Sequence, residues 1–360
     1  MTEHAIRGDE DTAAPAEDEA AVPARGPWGL IWQRLAADRL ALASGIVLLF
    51  VLLASFVGAP LATRLLGHGP NDQFPYAVSQ TLKPVGPWTR VPDVTGFVDV
   101  DEETPRTLFV FGADGTLGRD LFLRVLYGGQ VSLTVALGAT LLALLIGVPL
   151  GIVSGYLSGW TDWFISRGTE LFMGFPLLLF LVAVGYTVGP ALNNVTLGVF
   201  QRGVLVLVLL VGVFSWFLPA RVIRGQVLSL AHDEFVEAAR MVGARDTWIM
   251  RKHVLPHLVG PIVVWGTLIT AGFVVLEAAL AVLNVGIPLP TASWGNLLST
   301  NWGTLLVYDP LRPEAVTPGY YAEKSNWVLF WPTAALLVTV IALALFGEGL
   351  RRAVDPRGRT

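Results

Sequence analysis

Six long runs of apolar residues dominate the pattern of hydrophobic and polar positions along the chain. An α-helix needs about 20 mostly apolar residues to cross the hydrocarbon core of a bilayer, and each run comes close to that length. The pattern therefore predicts an all-α integral membrane protein with about six transmembrane helices. The predicted spans are 40–62, 131–156, 171–188, 203–222, 258–283 and 328–346.

Polar segments divide the chain between these runs. A stretch rich in Ala, Pro, Glu and Asp predicts a disordered acidic N-terminal tail, and an aromatic and basic lead-in precedes the first span. After that span we expect an external loop or small cap, which ends at 117–130 in the mixed pattern of an interfacial amphipathic helix. The other five spans form the core, followed by a short tail. In order, these segments cover 1–27, 28–62, 63–130, 131–350 and 351–360.

One long polar segment, residues 233–256, lies between two strongly apolar runs in the second half of the chain. Its first half has apolar residues at the spacing i, i+3, i+4 and i+7, which predicts a short amphipathic helix with one narrow apolar stripe. The pattern alone is equally consistent with a solvated hairpin that only joins two spans. The stripe residues are Phe235, Ala238, Ala239 and Val242.

Residues suited to helix ends divide this segment into two short helices. Asp233 can cap the first helix, and Gly243 suits its end because glycine tolerates the left-handed conformation found there. Asp246 can cap a second helical turn. Pro256 is expected to break the helical pattern before the next apolar run begins.

Composition supports a membrane protein and excludes several kinds of chemistry. The 360 residues are 53% hydrophobic and 14% charged, and the mean hydropathy is +0.60. The chain has no cysteine, which excludes disulfides, thiol catalysis, iron–sulfur clusters and cysteine-ligated zinc. The formal net charge of −4 arises partly from the acidic tail, so it gives no reason to expect a nucleic-acid partner.

The distribution of basic residues predicts the orientation in the membrane. With the N-terminus inside, the short inner segments hold most of the arginines and lysines, and the short outer loops hold few. The long segment 63–130 carries little weight in this rule. We therefore expect both termini and residues 233–256 to lie in the cytoplasm.

Several catalytic motifs do not occur in the sequence. There is no GxxxxGK[ST] phosphate loop, so the chain cannot bind and hydrolyse ATP by that route. HExxH, GxSxG and acidic metal-binding loops are missing as well, and the histidines do not have metal-ligand spacing. We expect a protein that is not an enzyme, without catalytic residues and without a bound cofactor or metal.

Glu277 is the one acidic side chain deep in the second half of a predicted span, where an ionisable group is costly unless it is paired or hydrated. It could line or gate a translocation path, or lock its helix to a neighbour. Alternatively, it could lie high enough to reach external water or a backbone partner.

Small and charged residues at the second span predict packing and anchoring. Four glycines, of which three are spaced by four residues, favour close helix packing over a ligand site. Gly118, Arg119 and Asp120 could anchor the predicted interfacial helix, either through an Arg119–Asp120 pair or as solvated charges at headgroup level. The glycines are Gly138, Gly147, Gly151 and Gly155.

Three stretches resemble the membrane subunits of ABC importers. One is similar to the EAA signature of the loop that docks on the ATPase subunit. The other two are similar to the segment before the second span and to the end of the fifth span in dipeptide, oligopeptide and nickel importers, with the C-type of the two paired permeases closest. The residues carrying the resemblance include Glu237, Ala238, Ala239, Gly243, Ile249, Leu255 and Pro256 for the first, Gly118, Arg119 and Asp120 for the second, and Glu277, Trp294 and Gly295 for the third.

The resemblance covers about residues 40–346 and implies the type I ABC importer permease fold. It implies a multi-pass subunit of a bacterial or archaeal plasma membrane that imports short peptides, or nickel chelates, glutathione or peptide antibiotics. The implied partners are a homologous second permease, two ATPase subunits that bind ATP and Mg²⁺, and an external solute-binding protein. That protein would dock on 63–130 and 284–327, and 233–256 would be the ATPase-coupling loop.

Two alternatives belong to other classes of protein. A self-sufficient secondary transporter or channel predicts several intramembrane acidic or histidine residues, or paired broken helices, and only Glu277 clearly qualifies. A purely structural membrane scaffold would leave the residue order in 233–256 unexplained.

Overall fold

A computed structural model describes residues 27–79, 83–96, 100–195, 203–301 and 327–354. The predicted disordered tail, apart from its last residue, lies outside these ranges, as do 302–326 of the second polar connection and 355–360 of the C-terminal tail. The helices are α1 (Pro27–Ala37), α2 (Arg39–Leu53), α3 (Ala59–Leu66), α4 (Leu121–Leu157), α5 (Gly159–Met173), α6 (Leu177–Val195), α7 (Val204–Phe214), α8 (Phe217–Leu230), α9 (Glu234–Met241), α10 (Asp246–Ile249), α11 (Leu255–Val282), α12 (Trp294–Asn301) and α13 (Trp327–Val354).

The all-α membrane architecture is confirmed. Among the described residues, five helices are long and apolar enough to cross a membrane, and a bent pair gives a sixth if it is one span. The main apolar core lies between α4, α7, α11 and α13. The five long helices are Arg39–Leu66, Leu121–Leu157, Val204–Leu230, Asp246–Val282 and Trp327–Val354.

The first span begins at a capped turn. The Asp38 carboxylate accepts hydrogen bonds from the backbone N–H groups of Leu40 and Ala41, at 3.0 and 3.2 Å. It also accepts one of 2.7 Å from Arg352 at the end of α13. The Ala41 N–H, then the Arg352 guanidinium, lowers the pKa of Asp38 below its ordinary value. The first and last spans are thereby tied together at one end.

The predicted interfacial helix over 117–130 is not a separate helix. Helix α4 begins at Leu121, where the Asp120 side chain accepts from the N–H of Phe122 at 2.8 Å, and continues unbroken to Leu157. Its 37 residues are about 55 Å long, well over the hydrocarbon thickness of about 30 Å. The first turns of the span therefore project into the segment before it and are covered by protein.

The third span is broken, which differs from the predicted helix 171–188. Helices α5 and α6 meet at a bend of 85°. The bend falls between Met173 and Leu177, where Pro176 lacks the N–H that would continue the helical hydrogen bonds. The predicted run thus contains the end of one helix and the start of another.

Close packing of α4 on α8 confirms the prediction made for the glycines. A methyl group at Gly147 would collide with the Trp216 carbonyl oxygen, and one at Gly151 would lie 2.6 Å from the Ala220 carbonyl oxygen. A methyl group at Gly155 would lie 2.8 Å from the Arg224 carbonyl oxygen, whereas Gly138 faces the Val208 side chain of α7, 3.0 Å away. At the other three positions only glycine lets the backbones of α4 and α8 approach so closely.

Pro256 does not end a helix, contrary to the prediction. Helix α10, a π-helical turn at Met250–Val254, and α11 form one continuous helix, Asp246–Val282. The wide π turn lies directly before Pro256, where a regular α-helix would need the N–H that proline lacks. The second half of 233–256 is therefore the beginning of the fifth span.

The segment between the first two spans forms a small folded cap, one of the two predicted alternatives. Its four short strands are an exception to the all-α prediction, and they pair antiparallel as β1 with β2 and β3 with β4. A small apolar cluster holds them together. The strands are β1 (Thr89–Pro92), β2 (Arg106–Phe109), β3 (Ala113–Asp114) and β4 (Arg119–Asp120), and the cluster is Phe74, Ala77, Val91, Phe109 and Ala113.

Candidate functional site

The segment 233–256 is attached to the ends of α4 and α8 by an apolar cluster. Val236 on α9, Ile249 on α10 and Val254 in the π turn are all fully buried. They pack in one cluster with Val227 of α8 and Leu258 of α11. The segment is thus a packed part of the bundle and not a loosely solvated loop.

The face that α9 buries differs from the predicted stripe. Val236 is fully buried and Phe235 and Ala239 are half-buried, whereas Ala238 is exposed and Val242 is 88% exposed. The inward face is therefore rotated away from the predicted one. The outward face of α9 and the turn after it carries Glu237, Ala238, Met241 and Val242.

The turns around α9 match the predicted positions only in part. Gly243 has φ +83°, as expected for the residue after a helix end, and no atom lies within 4 Å of a methyl group built on it. Asp233 stands at the cap position, but its side chain makes no capping hydrogen bond. Asp246 is the first residue of α10 and Arg245 holds the cap position, so the predicted cap at Asp246 is wrong.

Tyr156, in the last turn of α4, joins the two helices of this segment. Its hydroxyl donates to Asp246 Oδ1 at 3.1 Å and accepts from Arg240 Nε at 3.2 Å. The Arg240 guanidinium also lies over the Tyr156 ring, 4.7 Å from its centroid. A displacement of α9 or α10 must therefore act directly on α4.

A buried ionic cluster ties the cap to the N-terminal end of α4. Asp114 pairs with both Arg119 and Arg124, and all three side chains are buried. Arg124 also donates to Asn71 Oδ1 at 2.8 Å and to the Pro290 carbonyl oxygen at 3.3 Å. Arg119 therefore anchors through Asp114 and not through Asp120, which corrects the predicted pair and the alternative of solvated headgroup charges.

Asp120 pairs instead with His68, which follows the first span. The His68 Nε2 and Asp120 Oδ2 atoms are 3.0 Å apart, and His68 Nδ1 lies 3.2 Å from the Leu66 carbonyl oxygen. A carbonyl only accepts, so Nδ1 carries a proton, and a second proton on Nε2 creates an imidazolium facing the carboxylate. Burial lowers the pKa of His68, but the hydrogen bond and charge of Asp120 outweigh it, so the pKa is raised above its ordinary value of 6.5.

This pair predicts a pH-dependent stability of the cap. A raised pKa means that protonated His68 stabilises the fold fully below 6.5, and that this contribution is lost as pH rises through the folded-state value. We expect the apparent unfolding temperature of the purified chain to fall as the pH rises above 6.5. In the His68→Gln variant, the part of this decrease in unfolding temperature that comes from His68 is expected to disappear. Equal pH profiles for the two proteins would contradict the assignment.

Gly118 has a steric role next to these charges. Its φ is +63°, and a methyl group there would collide with the Phe74 carbonyl oxygen. Glycine is therefore required directly before β4, where the chain passes against Phe74.

Glu277 is fully buried between α11, α4 and the connection before α12. Its Oε2 accepts from Ser132 Oγ at 2.9 Å, and Ser132 Oγ in turn accepts from the Trp294 N–H at 3.1 Å. Oε1 lies against Gly295, where a methyl group would come within 3.2 Å of it. The carboxyl group thus joins the fifth span to its neighbours, as the locking alternative predicts.

Glu277→Gln is expected to keep the fold and most of the transport activity, because the amide oxygen can still accept from Ser132. Glu277→Leu removes the acceptor and should lower stability by about 1–3 kcal/mol. Thermal unfolding and uptake measured on both variants test this. If Glu277→Gln stops transport in a stably folded protein, the carboxyl group has a direct role in the path.

Family comparisons identify the class of protein. Residues 147–360 match the model of the binding-protein-dependent transport system inner membrane component, and residues 26–84 match the N-terminal TM domain of oligopeptide transport permease C. The chain belongs to the ABC importer permease family.

Named relatives are similar to this permease over most of its length. The oligopeptide transport system permease protein OppC of Escherichia coli K12 is 37% identical over 69% of the chain and 72% of its own length. The glutathione transport system permease protein GsiD of Salmonella typhimurium is 34% identical over 92% of the chain and 91% of its own length. A putative peptide permease protein of Brucella ovis is 32% identical over 69% of the chain and 72% of its own length. The permease is thus a multi-pass inner-membrane protein.

Sequence analysis missed several polar residues of the permease. Tyr156 lies in a predicted span and carries no motif. Asp162 of α5 accepts a two-pronged hydrogen bond from Arg224 of α8, at 2.6 and 2.7 Å, next to a cavity of about 180 Å³. The pair is 62 residues apart in sequence, so spacing alone could not connect its members.

Proposed function

We propose that the permease forms part of a translocation path for short peptides and transmits ATP-driven motion through residues 233–256. The observation that carries this proposal is the outward face of α9. Met241 and Val242 are 83% and 88% exposed there, and Val236 and Ile249 attach the same segment to the bundle. An exposed apolar ridge on a firmly packed base suits insertion into a groove on a soluble partner.

Charges around that ridge complete the proposed docking surface. Glu237 lies on the outward face, and Arg245 and Arg251 are exposed on the turns that follow. Charged flanks fix the register of an apolar contact and speed its formation. The partner in this proposal is an ATPase subunit, which holds ATP and Mg²⁺, and the permease itself binds no cofactor.

The substrate class rests on what the relatives are named for. Their names refer to oligopeptide, peptide and glutathione transport, and glutathione is itself a short peptide. We therefore assign short peptides to this permease. Nickel chelates are the second candidate and rest only on the sequence resemblance.

The proposed assembly contains a homologous second permease, two ATPase subunits and an external solute-binding protein. Both termini and 233–256 face the cytoplasm in this arrangement. The packing of α1, α13 and α11 supports it, because Arg34 Nη1 donates to the Ala353 carbonyl oxygen at 3.5 Å and Val354 lies against Gly260. These basic helix ends therefore lie on one side of the bundle. In the proposed arrangement the cap is the part that contacts the solute-binding protein.

The test is purification of the tagged permease from its native membrane in mild detergent, followed by mass identification of co-purifying chains. Two ATPase chains and a second permease are expected in stoichiometric amounts. Reconstitution in vesicles should then give peptide uptake that needs both ATP and the binding protein. A chain that comes out alone and transports without ATP would refute the proposal.

A further inference from the structure

An apolar groove lies beside the first span, away from the coupling segment. It has a volume of about 290 Å³ and is bounded by α1, α2 and α13. Its lining is almost wholly apolar and includes Trp32, Leu42, Ile46, Leu49 and Phe346. The stretch from Ala41 to Leu49 rises about 12 Å along the helix, so the groove follows the direction of a lipid chain.

Basic side chains surround one end of this groove. Arg34, Arg39, Arg351 and Arg352 are all exposed at the neighbouring ends of α1, α2 and α13. Only two carboxylates oppose them in the described part of the chain, those of Asp38 and Glu348, which pair with Arg352 and Arg351. The end of the groove therefore carries excess positive charge.

Arg39 is the basic residue best placed for the groove. Arg39 precedes Leu42, Ile46 and Leu49 by three, seven and ten residues. This spacing puts it on the same helical face as these α2 residues, which line the groove. Among the described residues no hydrogen bond or ion pair engages its guanidinium. Trp32 is 67% exposed at the rim, as is typical of a tryptophan at a membrane–water interface.

We propose that this groove is a binding site for an anionic phospholipid, with one acyl chain along α2 and the phosphate on Arg39. Basic pockets between transmembrane helices commonly hold such headgroups. The charge complementarity favours this occupant over a helix of the second permease, which would have to cover an excess of exposed guanidinium groups. The site goes beyond the proposed transport function and does not depend on it.

The headgroup part of the proposal is tested by native mass spectrometry of the purified assembly, titrated with phosphatidylglycerol or with phosphatidylcholine of the same chains. The wild type is expected to bind phosphatidylglycerol more tightly. Arg39→Gln should lose about fivefold in that affinity and leave phosphatidylcholine binding unchanged. Arg64→Gln, the same change at an exposed position in the last turn of α3, is the matched control and should bind as the wild type does.

The acyl-chain part of the proposal is tested by filling the groove. Ile46→Trp narrows it and should weaken binding of both lipids, whereas Leu53→Trp, an exposed position on α2 outside the groove lining, should not. Equal affinity of the wild type for the two lipids would overturn the proposal. So would equal behaviour of Arg39→Gln and Arg64→Gln, or a cross-link from Ile46 to the second permease in the intact assembly.

Discussion

Gly243→Asp is expected to reduce solute-stimulated ATP hydrolysis and uptake at least about tenfold while the chain still inserts in the membrane. Gly243 is exposed and has φ +83°, and no atom of the described chain lies within 4 Å of a methyl group built on it. It would instead project beside the exposed Met241 and Val242, in the proposed ATPase contact. A charge at the centre of an apolar contact costs about 2 kcal/mol or more, which is about 30-fold in affinity.

Gly67→Asp is the matched control for this variant. Gly67 has φ +80° and likewise no atom within 4 Å of an added methyl group, but it follows the first span at its other end. The backbone strain is therefore the same in both variants, and only the location differs. Normal uptake by a stably assembled Gly243→Asp permease would exclude the coupling role. Glu237→Ala, on the same outward face, should give a smaller loss of the same kind.

Gly147→Val should have the largest effect on the fold. The new side chain would collide with the Trp216 carbonyl oxygen and with the Pro219 ring, 2.6 Å from the first added carbon. Backbone and a rigid ring cannot give way, so α4 and α8 must separate along their length. We expect a loss of about 3 kcal/mol or more. The measurement is the unfolding temperature of the purified chain, with folded yield from the membrane as a second reading.

The same substitution at Gly272 controls for the effect of valine in a membrane helix. Gly272 is exposed on α11, and no atom lies within 4 Å of an added methyl group. Gly272→Val should therefore fold with nearly the wild-type yield. If both variants were equally stable, the close approach of α4 and α8 would not be a determinant of the fold.

The sequence predicted the elements whose signal is local. Five of the six long apolar runs became single membrane helices, because twenty apolar residues have few other stable environments. The glycines spaced by four residues on α4 indicated its contact with α8, because that spacing places small residues on one face of the helix. Gly243 was placed correctly because a helix end that needs a positive φ favours glycine.

The errors arose where tertiary contacts override local preference. Pro256 suggested a helix end, but the π turn at Met250–Val254 lets the helix continue. The buried face of α9 differs from the predicted apolar stripe, because the ends of α4 and α8 that pack against this helix decide which side is covered. The third span is broken at Pro176, which a count of apolar residues alone does not register.

Charged residues near the second span were the hardest to predict. Arg119 and Asp120 are neighbours in sequence, yet each pairs elsewhere, with Asp114 and His68. These pairings depend on the fold of the cap, whose strands are only two to four residues long. Strands of that length leave almost no periodic signal.

The unbroken helix Asp246–Val282 has a mechanical consequence under the proposed coupling. Its 37 residues measure about 55 Å, and it connects the ATPase-facing turn to the neighbourhood of Glu277. If the proposed coupling tilts this continuous helix as one body, a tilt of about 5° at one end shifts the other end by about 5 Å. A hinge at Pro256 would instead let the first part of the helix tilt without moving the rest. The π turn therefore keeps the proposed ATPase-facing turn continuous with the part of the span that carries Glu277.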